Sequence, residues 1–276
     1  MLDDLLHIFY PRTYTLGNGK QVKEKFNPAP YIVIAVVLIS LYFMNICKVD
    51  WHKFSKNIAN FFTMLDQMFP PRWEFWRELK KPMIDTMAMS LLGTAFGSIL
   101  ALPTSFYVSN NFHFNKTYLG LHRGIIAIFR TIPTLVIAKL LSTTLGVGTL
   151  AGTLAITIFT YTIAVKMMYE QIETIDMKPY EAMESTGANR MQSIIYSAFP
   201  QVRGYFWSTV LYCFETNVRS AAILGYVGAG GIGVQINTQL NWRKYENAGM
   251  IVLVLVITVV VIESISREIR KKLVQG

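Results

Sequence analysis

Residues 181–200 read EAMESTGANRMQSIIYSAFP and interrupt an otherwise apolar sequence with a short polar segment. The segment opens with an acid, carries Gly187 in its middle and ends at Pro200. Glu181 favours the start of a helix, because an acid in the first turn complements the helix dipole. Asn189 can cap a second helix after the break at Gly187. The stretch therefore predicts a helix, a turn and a second helix between two apolar regions.

The rest of the chain has the composition of a membrane protein. Of its 276 residues, 52% are hydrophobic and 16% are charged, and the mean hydropathy is +0.35. These values lie outside the range of ordinary soluble domains. The formal net charge of +9 does not indicate nucleic-acid binding, because the basic residues are spread over the ends of apolar runs. We attribute the charge to orientation in the membrane and to contact with anionic lipids.

Six apolar runs are long enough, or nearly so, to cross a hydrocarbon core of about 30 Å. We predict spans at residues 31–47, 86–108, 124–144, 150–168, 205–227 and 248–262. The expected fold class is therefore all-α, a polytopic transmembrane helix bundle of about six spans.

Basic residues near the ends of the spans predict the orientation of the chain. Four of them lie in the C-terminal segment: Arg267, Arg270, Lys271 and Lys272. They place the C-terminus in the cytoplasm, and an even number of spans returns the leader, residues 1–30, to the same side. Residues 48–85 then form an external connection, in which PPRWEFWREL predicts an aromatic helix at the headgroup level or, alternatively, an ordinary loop. The core, residues 86–276, carries a cytoplasmic loop at residues 169–204.

Charged residues inside the predicted spans are costly and mark functional candidates. Arg219 follows Glu215 by four residues, so the two side chains share one helix face. Either the pair only neutralises itself, or Arg219 faces a cavity and offers its planar donor fork to an oxyanion while Glu215 tunes it. Arg130 lies near the cytoplasmic end of its span, where snorkelling is the simpler interpretation and a place in the translocation path is the alternative. Lys139 and Lys166 lie near span ends and are expected to anchor them.

A glycine-rich stretch, LGYVGAGGIG at residues 224–233, follows the fifth predicted span. Its glycines are Gly225, Gly228, Gly230, Gly231 and Gly233. Such a density opposes a helix interior, and irregular backbone at membrane depth survives only beside protein or water. The stretch lacks the Lys and Ser/Thr of a P-loop, so we predict a hinge, a gate or a close-packed turn rather than an anion cradle.

The spacing in the polar segment resembles the EAA loop of the membrane subunits of bacterial ABC importers. Glu181 and Ala182 precede Gly187, and Pro200 follows that glycine by thirteen residues. The sequence departs from the usual pattern at three positions, with methionine, serine and phenylalanine at Met183, Ser197 and Phe199. The resemblance implies a coupling loop that docks on a cytoplasmic ATPase through these residues: Glu181, Ala182, Met183, Gly187, Ala188 and Pro200.

Further segments, FRTIPTLVIAKLLSTTLGVGTLAGTLA and FETNVRSAAILGYVGAGGIG, resemble the membrane subunit of phosphonate ABC importers. This resemblance covers roughly residues 83–276. It implies a type I permease fold in the bacterial inner membrane and a homodimer that forms the path for phosphonate or a related phosphorus oxyanion. It also implies two copies of an ATPase that binds ATP and Mg, and an extracytoplasmic binding protein. No cofactor, metal or catalytic residue is then expected in this chain.

Other functions remain as alternatives. The permease of methionine importers shares the loop and the glycine-rich stretch but usually has fewer spans, so the run at residues 31–47 favours the phosphonate family. An integral-membrane enzyme acting on phospholipids would need clustered acids or histidines. The four histidines are instead scattered without the spacing of metal ligands: His7, His52, His113 and His122. A secondary transporter would show two similar halves and several deep acids, and the sequence shows neither.

Overall fold

The computed structural model of the chain describes residues 13–17, 19–23, 28–48, 50–113 and 115–275. Most of the predicted leader, residues 1–30, lies outside the described residues, as does the last residue of the predicted core. The chain divides into two compact units, residues 1–63 and 64–276, which are described separately.

The first unit holds a short hairpin and a long apolar helix. Strand β1 (Thr13–Thr15) pairs antiparallel with β2 (Gln21–Lys23), a small addition to a fold predicted as all-α. Helix α1 (Ala29–Ile46) has 18 residues and matches the first predicted span.

Helix α2 (Trp51–Gln67) lies mostly in the first unit and was not predicted from the sequence. The backbone N–H of Lys53 donates to the Asp50 carboxylate at 3.0 Å, which caps the start of the helix. Large apolar residues recur along it every three or four positions, and all are exposed: Trp51, Phe54, Ile58, Phe61 and Leu65. The helix is therefore amphipathic.

The second unit is helical in its regular structure. Its helices are α3 (Trp76–Tyr107), α4 (Lys116–Thr131), α5 (Thr134–Leu145), α6 (Thr149–Ile172), α7 (Lys178–Ser185), α8 (Arg190–Ser193), α9 (Phe199–Leu224), α10 (Ile232–Asn241) and α11 (Tyr245–Gln275). Short 3-10 turns precede α3 at Trp73–Phe75 and follow α9 at Gly225–Val227, and a π turn at Ile194–Ala198 joins α8 to α9.

Long apolar helices confirm the predicted transmembrane bundle. Within the described residues, α1, α3, α6 and α11 are each long and apolar enough to cross a membrane. Helices α4 and α5 pass the same test only as a pair, which would make five spans. Helix α9 covers most of the fifth predicted span with 26 residues, but it carries charged and amide side chains among its apolar ones.

The third predicted span, residues 124–144, is wrong as a single straight helix. The chain bends by 82° between α4 and α5. Pro133 explains the bend, because it lacks an N–H group and disfavours helical backbone at the residue before it. Ile132 accordingly has extended backbone, with φ −75° and ψ 122°. The pair is therefore a broken or re-entrant span.

The aromatic stretch PPRWEFWREL does not form a separate interfacial helix. Its 3-10 turn leads directly into α3, which continues through the domain boundary predicted at residue 86. Phe75 and Leu79 are 4% and 0% exposed and pack against Ile232, Met250 and neighbouring apolar residues of α10 and α11. Burial of this face in the bundle therefore explains why the stretch extends the span.

Helices α3 and α6 approach each other closely at two glycines, Gly93 and Gly97. A Cβ atom on Gly93 would lie 2.6 Å from Cγ2 of Ile156. A Cβ atom on Gly97 would lie 2.7 Å from Cβ of Thr160 and 2.8 Å from the carbonyl oxygen of Thr157. Small residues four positions apart lie on one helix face and allow such close packing in membranes.

Helix α9 joins this pair through one buried amide. Asn217 is 1% exposed, and its Nδ2 donates to Oγ1 of Thr94 at 2.8 Å and to Oγ1 of Thr160 at 2.7 Å. Hydrogen bonds of this kind hold helices together where no water competes for the groups. Three helices therefore meet at one polar contact inside the bundle.

We expect Gly97→Ala to destabilise the protein. Alanine usually stabilises a helix relative to glycine by roughly 0.5–1 kcal/mol, but here the added methyl would clash with the backbone of α6 and cost about 1–3 kcal/mol. Gly124→Ala in α4 is the matched control, because its Cβ would meet no atom within 4 Å. Thermal unfolding in detergent should give a lower Tm for Gly97→Ala and an unchanged or higher Tm for Gly124→Ala. Equal values would contradict the close packing.

Candidate functional site

The polar hairpin, comprising α7, α8 and the π turn, has the helix–turn–helix form that its sequence predicts. Helix α7 ends in a Schellman motif. The N–H of Gly187 donates to the carbonyl of Glu184 at 3.0 Å, and the N–H of Ala188 donates to that of Met183 at 3.2 Å. Gly187 has φ +89°, a left-handed conformation that glycine adopts without the penalty of a Cβ atom.

The second half of the hairpin begins with a capping box. The Asn189 side chain accepts from the backbone N–H of Gln192 at 2.9 Å, and the Gln192 side chain accepts from the backbone N–H of Asn189 at 2.9 Å. The sequence predicts an end to this helix before Pro200, but the helix continues through the π turn into α9. Pro200 lies in the first turn of α9, where a missing N–H costs little.

One side of the hairpin is packed into the bundle. Tyr180 is 6% exposed and its ring lies 5.0 Å from that of Phe112, in a cluster that includes Ile172 and Val202. The Tyr180 hydroxyl donates to the Glu184 carboxylate at 2.6 Å. Burial and this hydrogen bond raise the pKa of Tyr180 to about 12.

Polar contacts fix the hairpin to the ends of three spans. The Gln201 side chain of α9 accepts from the N–H of Asp176 at 3.2 Å and donates to the carbonyl of Asp176 at 3.0 Å. Arg190 donates to the carbonyl of Phe112, in the loop after α3. That loop also donates from the Asn110 N–H to Glu173, just after α6, at 2.8 Å. The hairpin and the segments that flank it are therefore hydrogen-bonded to the ends of α3, α6 and α9.

One residue that strengthens this junction was not among the candidates predicted from the sequence. Arg123 of α4 forms an ion pair with Glu173, donates through Nε to the carbonyl of Val108 at 2.9 Å and lies 4.4 Å from the ring centroid of Tyr169. Arg123 lies at an expected span end, where its charge carries no distinctive signal, and Glu173 is fifty positions away in sequence.

The other side of the hairpin is exposed. Among the predicted coupling residues, Glu181, Ala182, Gly187 and Pro200 are exposed, while Met183 and Ala188 are half-buried. A Cβ atom on Gly187 would meet no atom within 4 Å. Two large side chains, Met191 and Tyr196, are 64% and 71% exposed. An exposed apolar surface on a rigid element of this kind is typical of a protein-docking site.

A cluster of three charges lies on α9 and α11. Arg219 Nη2 lies 2.5 Å from Glu215 Oε1, as the spacing of four residues predicts. Arg270 Nη2 lies 2.9 Å from the other carboxylate oxygen, Oε2. The Glu215 side chain is 8% exposed, against 27% for Arg270 and 50% for Arg219. Removal of Glu215 and Arg219 together would therefore leave Arg270 without its carboxylate partner.

Helix geometry explains the contact of Arg270 with Glu215. Gly204, near the start of α9, lies against Leu273, near the end of α11, and Ala222, near the end of α9, packs against the apolar cluster that contains Val254 of α11. The two helices therefore run antiparallel. Side chains lean toward the N-terminus of their own helix, so residues on two antiparallel helices can lean toward each other. The predicted C-terminal tail is accordingly part of α11 and packs along α9. No local sequence pattern links residues 215 and 270.

The remaining charged candidate lies elsewhere in the unit. Arg130 is exposed in the last turn of α4, beside the break at Pro133. It forms no ion pair among the described residues, and it does not join the cluster around Glu215. Lys166 lies along α6 and forms an ion pair with Glu170 at 2.6 Å, which suits an anchoring residue.

The glycine-rich stretch forms a tightly packed turn between α9 and α10. Gly228, Gly230 and Gly231 have φ values of +84°, +83° and +70°. A Cβ atom on Gly225 would lie 2.2 Å from the carbonyl carbon of Gly233. The turn is hydrogen-bonded to the rest of the unit, through the Gly148 N–H to the carbonyl of Gly228 at 3.0 Å and the Ile232 N–H to the Thr86 hydroxyl at 2.8 Å. Close packing was one of the forms that we predicted, and a hinge or gate role stays a prediction.

Two of the histidines described as scattered are neighbours in the structure. His113 and His122 lie around Tyr107 and Tyr118, with ring centroids 4.8 Å apart for Tyr107 and His113 and 4.0 Å apart for Tyr118 and His122. The part of the chain that the structure describes contains no group of three or more His, Cys, Asp or Glu residues placed to hold a metal ion.

The sequence of this chain is similar to those of known transport proteins. The family described as binding-protein-dependent transport system inner membrane component matches residues 93–272. The phosphite transport system permease protein PtxC of Stutzerimonas stutzeri is 30% identical over 240 residues, which cover 87% of this chain and 86% of that protein. The phosphate-import permease protein PhnE of Mycolicibacterium smegmatis is 30% identical over 77% of this chain and 40% of that protein.

A solved structure shares the fold. In the inward-facing MetNI methionine ABC transporter, one chain superposes with a TM-score of 0.63 at 23% identity, over 73% of this chain and 99% of that one. Similarity at this level of identity shows the arrangement of helices and carries no information on the substrate.

Proposed function

We propose a function from one premise: this chain belongs to the family of binding-protein-dependent transport system inner membrane components. It is a multi-pass permease of the inner membrane, with no enzymatic reaction of its own. A partner ATPase binds the nucleotide in such importers, and an extracytoplasmic binding protein delivers the substrate.

The proposed substrate is a phosphorus oxyanion, namely phosphonate, phosphite or phosphate. The observation that carries this proposal is the similarity over 87% of the chain to a phosphite permease. A second relative is named for phosphate import, and the segments around residues 181–202 and 214–233 resemble phosphonate permeases. The methionine alternative gains no support from a shared fold at 23% identity. The phospholipid enzyme is not favoured, because every relative reported above is a transport component.

In this proposal the polar hairpin couples ATP hydrolysis to transport. The predicted coupling residues, which are exposed except for the half-buried Met183 and Ala188, dock on one of two ATPase copies that bind ATP and Mg. The packed face of the hairpin holds the ends of α3, α6 and α9, so a movement of the ATPase reaches the spans as a rigid-body movement. In this proposal both termini lie in the cytoplasm, and the predicted external connection, residues 48–85, lies outside only as far as the start of α3 at Trp76.

The translocation path in this proposal lies between two copies of the chain. Arg219 is half exposed on α9, which covers most of the fifth predicted span, and charged side chains inside a span face water or another helix. Tyr212 and Ile223 are exposed on the same side of α9, at spacings of seven and four residues from Arg219. We assign this side of α9 to the path together with Glu215. Arg130 contributes from the broken span, and the glycines from Gly225 to Gly233 serve as hinge or gate.

We expect Gly187→Leu to uncouple the ATPase from the permease. A leucine forces an unfavourable left-handed backbone, at a cost of about 1–2 kcal/mol, and adds bulk to the proposed docking surface. Membrane insertion should persist, while co-purification of the ATPase or substrate-stimulated ATP hydrolysis is lost. Gly120→Leu in α4 is the control, because its Cβ also would meet no atom within 4 Å. Normal transport by Gly187→Leu would refute the coupling role.

We expect Arg219→Lys to impair uptake of radiolabelled phosphite by about tenfold, because an ammonium group cannot reproduce the bidentate fork of a guanidinium. Arg267→Lys is the control, since Arg267 pairs with Glu263 at 2.6 Å on the exposed side of α11. Uptake at a fixed concentration, normalised to inserted protein, should fall for the first variant and stay near wild type for the second. Equal uptake by both would remove Arg219 from the path.

A further inference from the structure

We propose that Arg270 is a positioning residue for the transported anion: by binding one oxygen of Glu215 it leaves Arg219 with an uncompensated positive charge. The inference rests on the proposed function, in which Arg219 faces the path of a phosphorus oxyanion. It concerns Arg270, which lies fifty-five positions after Glu215 in the sequence.

The carboxylate of Glu215 is shared between two guanidinium groups. Oε1 lies 2.5 Å from Arg219 Nη2, and Oε2 lies 2.9 Å from Arg270 Nη2. Glu215 has no other ion-pair or side-chain hydrogen-bond partner among the described residues. One negative and two positive charges therefore leave the cluster with a net charge of +1. A plain pair of Glu215 with Arg219 would be neutral and would offer an anion no net attraction.

The two arginines are held differently. Arg270 is 27% exposed and donates through Nε to the carbonyl of Ser266 in its own helix at 3.4 Å, in addition to its bond with Glu215. Arg219 is 50% exposed, and the hydrogen bond described for it uses only Nη2. A guanidinium has five N–H donors, so most of those of Arg219 remain available on its exposed side. Arg270 is thus the fixed counterion of Glu215, and Arg219 is the arginine whose free N–H donors can bind an anion.

Loss of Arg270 changes the charge of the cluster without leaving a buried carboxylate unpaired. In Arg270→Gln, Glu215 keeps Arg219 as its partner, so insertion and folding should survive. Arg219 is then the sole ion-pair partner of the Glu215 carboxylate, and the net charge of the cluster becomes zero. Removing the carboxylate as well, in Glu215→Gln with Arg270→Gln, restores a net charge of +1 on Arg219 alone. The transport rate should therefore fall in the single variant and return in the double variant.

The experiment measures uptake of radiolabelled phosphite against concentration, in cells that carry the complete importer. We expect Arg270→Gln to lower Vmax by about tenfold with KM near wild type, because the binding protein sets the concentration dependence, and the double variant to return Vmax to within about threefold of wild type. Arg267→Gln is the control, because it removes a charge one turn earlier on α11 from an exposed pair. Its Vmax should not change. Arg270→Lys should also keep Vmax near wild type, since neutralisation of Glu215 needs the charge and not the fork.

Defined outcomes would overturn the inference. A double variant as defective as Arg270→Gln, at equal amounts of inserted protein and co-purified ATPase, would show that Arg270 acts through packing alone. Should the double variant fail to insert, a fall in Vmax for Arg270→Lys equal to that for Arg270→Gln would do the same. A wild-type importer that transports no phosphite, phosphonate or phosphate would instead contradict the proposed function, which separates the two failures.

Discussion

The close approach of α3 and α6 at Gly93 and Gly97 is the constraint on which the rest of the second unit depends. With any side chain at these positions, the two backbones could not lie at their observed separation. That separation brings Thr94 and Thr160 within reach of the same amide, Asn217, which fixes α9 against both helices. This arrangement positions the polar hairpin and the charge cluster, because the hairpin comes directly after α6 in sequence and Glu215 and Arg219 lie on α9.

Helix α9 connects the two functional regions directly. It begins at Phe199, where the π turn of the hairpin ends, and its 26 residues extend about 39 Å along the helix axis. Glu215 and Arg219 lie in the second half of α9. Arg270 of α11, which packs beside α9, forms an ion pair with Glu215. Under the proposed function, a movement of the hairpin reaches the charged part of the path through one continuous helix, and no flexible linker intervenes.

Local features of this fold could be predicted from the sequence, because neighbouring residues determine them. The apolar runs, the break at Gly187, the cap at Asn189 and the ion pair of Glu215 with Arg219 are all of this kind. Pro133 lies inside the apolar run of the third predicted span, but the prediction used only the length and hydropathy of that run. The proline had the greater effect, because it removes a backbone donor and restricts the preceding residue.

Features that depend on tertiary contacts could not be predicted. The aromatic stretch before α3 resembles an interfacial helix in sequence, and only the burial of Phe75 and Leu79 against α10 and α11 extends the span through it. Gly93 and Gly97 are visible as a pair of small residues, but the sequence does not say which helix packs there. Arg270 is one of several basic residues near the C-terminus, and its partner lies on another helix.

The mass of the intact complex tests the central claim, that this chain is the permease subunit of an importer, most directly. The chain would be expressed in its native host, purified in mild detergent through a tag on this subunit and measured by native mass spectrometry. We expect a complex that contains two copies of this chain and two copies of a cytoplasmic ATPase, and that loses the ATPase when the polar hairpin is altered. Purification of this chain without any ATPase, from cells that contain the ATPase, would contradict that claim. Purification with only one copy of the ATPase bound would also contradict it.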